Sequence, residues 1–201
     1  MAAGAARRFG GGKLTAPWSG GRLIHGALAA ALAAPVRTVT VVAGADTEVG
    51  PTATHYAEAC GQLGRLRLIH ASDHDQGMAA SLKAGVLSLR ADCAGVFVFL
   101  GDMPLIPKDI SLGLAQALAG GGLAAAPVCG GRRGHPVLFS RSVFVNICQL
   151  HGDAGAGGVL RDMDARLVLV ETLDPGVLFD VDAPSDLTRH FGPQFPSTPE
   201  D

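Results

Sequence analysis

Five clusters in this sequence have residue types and spacing suited to phosphate chemistry. The first is residues 2–13, AAGAARRFGGGK. Its glycines let backbone N–H groups approach phosphate oxygens, and Arg8 and Lys13 could neutralise the β and γ phosphates, where pyrophosphate charge develops. The second is Gly101-Asp102-Met103-Pro104, directly after the apolar run GVFVFL. A carboxylate at the C-terminal end of a central strand can hold Mg²⁺ against triphosphate oxygens. The third is Asp180-Val181-Asp182, whose period-two spacing puts both carboxylates on one face of a strand, where either could complete a magnesium site with Asp102.

The fourth is residues 130–136, GGRRGHP, where Arg132, Arg133 and His135 sit on a glycine-rich loop that could meet an anionic second substrate. The fifth, Asp75 to Ser81 (DQGMAAS), puts Gly77 at a helix start and Ser81 within its first turns, where backbone donors could read a base edge or a phosphate. Each has a plain alternative: a solvated basic terminus, a capped strand end, a turn, a helix entrance. Asp186 reads as a first-turn helix acid. Residues 2–13 are not a Walker A loop, because Leu14 follows Lys13 where that frame needs Ser or Thr. No nucleophile-elbow frame surrounds Ser81, Ser140 or Ser142. The suggested chemistry is positioning and charge neutralisation.

Such residues need a rigid frame. Short apolar runs at 38–43, 66–70, 95–100, 123–128, 136–139, 167–171 and 179–182 read as strands. Helical patterns fall at 23–33, 55–64, 79–89, 107–118 and 142–150, with a turn at 159–163 and a final helix from 183–187. Strands separated by helices imply a mostly parallel sheet covered on both faces, with ligands at the C-terminal strand ends. The expected class is α/β, a three-layer Rossmann-like sheet. One domain over 1–192 with a loose tail at 193–201 is the simplest organisation for 201 residues.

Composition narrows the function classes. A net charge of −2 gives no basic stripe for nucleic acid, and one Tyr with one Trp cannot form a base-stacking platform. Apolar runs stop short of membrane length, and no signal peptide is readable. The four cysteines, Cys60, Cys93, Cys129 and Cys148, lack metal or redox spacing; Cys93 and Cys148 read as buried thiols in a reduced, cytoplasmic setting.

Taken in order, the clusters resemble the molybdenum cofactor nucleotidyltransferases, the MobA-like NTP transferases, and within them the cytidylyltransferase branch. The signature loop LAAGxSxRfGxxK reads MAAGAARRFGGGK here, with Arg8, Gly10 and Lys13 in register. VVxG reads Val41 to Gly44, the GMxxS stretch Gly77 to Ser81, GDMP Gly101 to Pro104, and GxRGHP Gly131 to Pro136. GDxGAR reads Gly152-Asp153-Ala154-Gly155-Ala156-Gly157, and DxDTPeDl reads Asp180 to Leu187.

The resemblance implies the nucleotide-diphospho-sugar transferase type of sheet and transfer of a nucleoside monophosphate from CTP to a phosphorylated pterin cofactor, with Mg²⁺. Arg8, Lys13 and Asp102 would be catalytic. Ala2, Ala3, Gly4, Gly10, Lys13, Gly77 and Ser81 would bind nucleotide, and Asp102, Asp180 and Asp182 would hold metal. Arg132, Arg133, His135, Gly152 and Asp153 would face the second substrate. Transient contact with a molybdoenzyme or its chaperone would follow. GTP as donor, a sugar-phosphate acceptor, and a non-catalytic cofactor carrier are the alternatives. Three departures stand out. Ala6 or its neighbour replaces the family's Ser, and Gly157 replaces an Arg. The buried strand that precedes the AAG loop is missing, Met1 standing at that strand's last position, so a start placed too late is expected.

Overall fold

The computed structural model describes residues 1–4, 9–152, 155–161, 163 and 166–189. The expected 193–201 tail lies outside them. Nine strands are present among these residues: β1 (Pro17–Trp18), β2 (Gly21–Arg22), β3 (Val39–Ala43), β4 (Leu66–His70), β5 (Gly95–Val98), β6 (Ala124–Cys129), β7 (Arg132–Arg133), β8 (Val137–Ser140) and β9 (Leu167–Glu171). The helices are α1 (Ile24–Ala33), α2 (Val49–Ala59), α3 (Met78–Leu87), α4 (Ile110–Ala119), α5 (Phe144–Cys148), α6 (Gly157–Arg161) and α7 (Asp186–Arg189).

β3 and β4 pair in parallel, as do β6 and β9. β8 runs antiparallel between β5 and β6, and β7 folds back on the end of β6 as a hairpin. Residues 1 and 2 lie between β3 and the end of β5. Ala2 bridges Ala43 in parallel and donates its N–H to the Val42 carbonyl at 3.0 Å. The Met1 amino group donates to the Phe99 carbonyl at 2.8 Å, and the Gly101 N–H donates to the Met1 carbonyl at 2.9 Å. The spatial order is therefore β4, β3, residues 1–2, β5, β8, β6, β9, with β8 and the short β7 against the common direction.

Alternation along the buried strands divides the core between the two faces. Val41 and Ala2 pack with Ile24 and Leu28 of α1 and with Val49 and Ala53 of α2. Leu114 and Ile110 of α4 cover Ala125 and Leu138 on that same side as Ala30 of α1 and Met103. Val98, Ala124, Ala126, Val137 and Phe139 face Leu82 and Val86 of α3, Ile147 of α5, and Val159 and Leu160 of α6. This is the three-layer α/β architecture that the alternating pattern predicts.

Several boundaries differ from the sequence reading. α2 starts at Val49, ahead of His55, because Val49 and Ala53 are fully buried and Pro51 falls in the first turn, where no amide donor is needed. α4 starts at Ile110, after Pro107, because Met103 and Ile106 first turn into the core. Residues 179–182 form no strand: Val181 is buried, and its N–H donates to the Asp102 carbonyl at 3.0 Å without a ladder. The β1–β2 hairpin carries no apolar run and was not legible. Cys93 and Cys148 are half-buried free thiols, not buried ones; the Cys93 thiol donates to the Gly95 carbonyl at 3.0 Å.

Candidate active site

The phosphate-type residues meet where β3 and β5 end. Gly10, Gly11 and Gly12 all have positive φ (81°, 94° and 61°), a backbone path that L side chains resist, which is why the loop is a glycine run. Leu14 then anchors the chain in the core, and the Thr15 hydroxyl donates to the Gly12 carbonyl and to Asp46 after β3. Between these anchors, Lys13 points inward, its side chain only 11% exposed, and Nζ lies 2.7 Å from Asp102 Oδ2. Asp182 Oδ1 stands 3.9 Å from the same ammonium.

Ala2 and Ala3 are buried and Gly4 is exposed. Gly44 lets this segment approach β3: a Cβ there would lie 2.5 Å from the Ala3 carbonyl oxygen. Asp102 follows β5 on a turn closed by the Gly101–Met1 hydrogen bond. Asp180 and Asp182 arrive on the segment held by Val181, while Trp18 and Phe179 pack together, their ring centroids 6.2 Å apart. The Asp186 carboxylate accepts the Asp182 and Ala183 amides at 3.0 and 2.8 Å, so it shapes the chain carrying Asp182, in keeping with its reading as a helix-entry acid.

The electrostatics are those of crowded carboxylates. Burial pushes the Asp180 carboxyl above its ordinary range, and the Asp182 and Asp102 charges push it further, while Lys13 opposes them. Among the described residues no group of three or more His, Cys, Asp or Glu side chains is arranged to hold a metal unaided. Mg²⁺ needs less from a protein: one or two carboxylates, with phosphate oxygens and waters completing the shell. Asp102 with Asp182 or Asp180 fits that requirement, as hard oxygen donors whose mutual repulsion a cation relieves.

His135 is half-buried beside this cluster, and its backbone N–H donates to the Val177 carbonyl at 2.9 Å. Burial lowers its imidazole to about 4 against the pull of Asp102, with the N-terminal ammonium and Arg133 lowering it too, so it is neutral near pH 7. Arg132 and Arg133 stand exposed on β7, and among the described residues no ion pair engages them. Gly77 (φ 105°) opens α3, where Ala79 donates its N–H to the Gly152 carbonyl at 3.1 Å; Ser81 is buried one turn further on. The structure thus brings Gly152 to the entrance of α3. Arg8 and Asp153 lie outside the described residues, as does Ala6.

Sequence reasoning missed Trp18 and Asp46, which brace the loop, and the acceptor role of Asp186. Trp18 is the chain's one tryptophan and is buried, the one signal that could have drawn attention to it.

A mostly parallel α/β sheet with glycine loops, a lysine and carboxylates at its C-terminal edge defines a nucleotidyltransferase fold. The profile of the MobA-like NTP transferase domain matches residues 1–167, and the chain belongs to that family of nucleotidyltransferases. Among solved structures, the chain is similar to a homologue of Mycobacterium tuberculosis Rv0371c from Mycobacterium sp. strain JC1. That match has 25% identity and a TM-score of 0.71, over 94% of this chain and 90% of that one. Rv0371c of Mycobacterium tuberculosis in complex with manganese matches with 18% identity and a TM-score of 0.60, over 80% and 81% of the two chains. Molybdopterin-guanine dinucleotide biosynthesis protein A from Archaeoglobus fulgidus matches with 18% identity and a TM-score of 0.64, over 92% of each chain. A search of curated proteins gives no match. Among the described residues no helix is long and apolar enough to cross a membrane.

Proposed function

We propose that the protein transfers the cytidylyl group of CTP to the terminal phosphate of a molybdopterin-type cofactor and releases pyrophosphate. The observation that carries this reading is the Lys13–Asp102 contact at 2.7 Å beside the Gly10–Gly12 loop. A cation for the leaving phosphates and a carboxylate for a metal stand together at one strand end. An oxygen of the pterin phosphate attacks the α-phosphorus, and the bond from that phosphorus to the α,β-bridging oxygen breaks. The leaving pyrophosphate takes the electron pair.

Lys13, released from Asp102 as triphosphate arrives, neutralises the β and γ oxygens together with Arg8. The Gly10–Gly12 backbone and the Ala2–Gly4 segment hold the nucleotide, and Gly77 and Ser81 shape the wall near its base. Asp102 and one of Asp180 and Asp182 would hold Mg²⁺, which, when bound, supplies Lewis-acid polarisation of the α-phosphate and screening of the approaching anions. The manganese complex of Rv0371c supports a divalent ion in this role. His135, neutral near pH 7, can donate a hydrogen bond to the acceptor phosphate, and Arg132, Arg133, Gly152 and Asp153 would receive the pterin side. The AAG opening at Ala2 to Gly4 and the Gly-His-Pro run support the cytidylyl and pterin assignments by resemblance.

The test is pyrophosphate release with Mg²⁺ and reduced pterin cofactor across CTP, GTP, ATP and UTP. Release with CTP alone is expected. Release with GTP in its place would move the chain to the guanylyl reaction, while release with a sugar phosphate in place of pterin would replace the acceptor. Silence with every pair would leave a carrier role.

A further inference from the structure

Three glycines stand where two backbones meet with no side chain between them. Gly26 lies in the first turn of α1, against the main chain of Pro104. A Cβ there would sit 2.6 Å from the Pro104 carbonyl carbon and closer still to its oxygen. Gly176 lies in the 3-10 turn Pro175–Leu178, against the main chain of Leu105. A Cβ at that position would overlap the Leu105 carbonyl oxygen and stand 2.9 Å from its carbon. Gly134 meets the Val177 main chain in the same way, a Cβ falling 2.8 Å from the carbonyl carbon. None of the three has positive φ, so close approach, and not dihedral freedom, is what requires glycine here. Gly26 goes against its own surroundings, since α1 is otherwise rich in alanine, the better helix former.

The contacts form one stack: α1, the loop 103–106, the turn 175–178, and the loop that carries His135. Each layer lies close in sequence to a group of the proposed reaction. Pro104 follows Asp102 by two residues, Gly176 precedes Asp180 by four, and Gly134 directly precedes His135. Hydrogen bonds tie the same layers. The Val181 N–H donates to the Asp102 carbonyl at 3.0 Å, and the His135 backbone N–H to the Val177 carbonyl at 2.9 Å. Met103, Pro104 and Ile106 are buried, so the core holds the Asp102 loop as well. Backbone packed directly on backbone has no rotamer through which to yield, and a methyl group added to it must displace one layer.

We propose that Gly26 and Gly176 are positioning residues for the metal: they set the separation of Asp102 from the segment that carries Asp180 and Asp182. The proposal rests on those carboxylates holding Mg²⁺, as in the reaction proposed for this site. A divalent ion shared between the two segments needs them at a fixed spacing, and Mg²⁺ accepts only near-octahedral geometry at short bonds. A side chain at either glycine would move the Asp102 loop by on the order of 1 Å to restore van der Waals distance. A shift of that size at a reacting centre costs about 10²-fold in rate. Neither glycine touches the nucleotide loop Gly10–Gly12, so nucleotide binding should be spared.

The experiment titrates Mn²⁺ alone into the whole chain and its variants, read by water-proton relaxation, with steady-state kinetics beside it. Gly26→Ala and Gly176→Ala are each expected to raise the Mn²⁺ Kd by about 10-fold or more and to lower kcat by about 10²-fold, with the nucleotide KM within about twofold. Gly50→Ala in α2, whose Cβ would meet only the Leu68 side chain at 3.6 Å, should leave Kd and kcat unchanged. If both variants bind Mn²⁺ as the unaltered protein does and lose only Tm, the contacts are packing alone and the proposal falls. A rise in nucleotide KM with kcat intact would overturn it as well. A measurement on the unaltered protein covers variants that do not fold. The Val181 amide should be protected from exchange before metal is added, and Mg²⁺ should change that protection by less than about threefold. A gain of about 30-fold or more would mean that the metal assembles the two segments and the glycine contacts do not. Asp102→Asn tells the two failures apart. Mn²⁺ binding lost there but kept in the glycine variants sinks the positioning role alone, whereas binding unchanged in Asp102→Asn removes the metal site and the proposal with it.

Discussion

The two charged regions of the site are built in opposite ways. Lys13, Asp102 and Asp182 are wired to one another and to the core: the lysine is nearly enclosed, and the chain on either side of it is fixed by Leu14, Thr15 and the Gly10–Gly12 turn. Arg132 and Arg133 form the short strand β7 of a hairpin with the end of β6, exposed to solvent. In the proposed reaction the first region meets the triphosphate and the second meets the acceptor. Rigidity is placed where charge must be neutralised at a fixed point, and freedom where an incoming molecule has to be met. Substitutions in the two regions should therefore differ in kind.

The largest effect is expected at Asp102. Asp102→Asn keeps the shape and removes the charge, and turnover should fall by about 10³-fold or more with the fold retained. Titration of Mn²⁺ by paramagnetic relaxation should show weakened metal binding in the same variant. Full turnover would remove Asp102 from the chemistry and dissolve the contrast between the regions.

Lys13→Met should come next, with kcat/KM for the nucleotide lower by about 10²-fold, most of it in kcat. It should also cost about 1–2 kcal/mol of stability, since the partly enclosed Asp102 carboxylate loses its counter-charge. Urea unfolding and single-turnover kinetics separate the two losses. A pure KM effect would mean that Lys13 holds the nucleotide without assisting the leaving group.

The sequence made this first region legible because its chemistry depends on local order: a glycine run, a lysine, and an acid after an apolar strand. The fold was legible for the same reason, since helices and strands alternate with their own periods. What could not be read was whatever depends on distant contacts. Residues 179–182 have a strand's alternation but find no ladder beyond the single bond from Val181 to Asp102. Trp18 braces that segment against Phe179 from 161 residues away, with no local signal that the two meet. The entrance to α2 was misplaced because Pro51 reads as a breaker until burial of Val49 shows that it begins the helix.

Arg132→Ala and Arg133→Ala should act more weakly, raising the acceptor KM by about 10-fold at low salt and less at high salt, with kcat nearly unchanged. Stability should move by less than about 0.5 kcal/mol, as for exposed side chains away from the core. Steady-state kinetics at two ionic strengths reads both effects. A kcat loss equal to that of Lys13→Met would erase the distinction between the wired and the free region.

His135 lies between the two regions and should give the smallest effect on turnover, with a separate effect on stability that is read as pH changes. Its folded-state imidazole titrates near 4, below the ordinary value of 6.5, chiefly because burial disfavours the cation. Between those values the unfolded chain binds the proton more tightly than the folded one, so stability rises with pH across this window. It is fully present above about 6.5 and is lost as pH falls toward 4. His135→Gln should flatten that part of the profile, by about 2 kcal/mol over the window after allowance for solvent screening. Urea midpoints at pH 4.5 and 7.5 measure it. Asp180 runs the other way: its raised carboxyl value makes the folded state the tighter proton binder, so the stability it contributes falls as pH rises above the ordinary carboxylate value. If His135→Gln leaves the slope intact, the titration between 4 and 6.5 belongs to other groups.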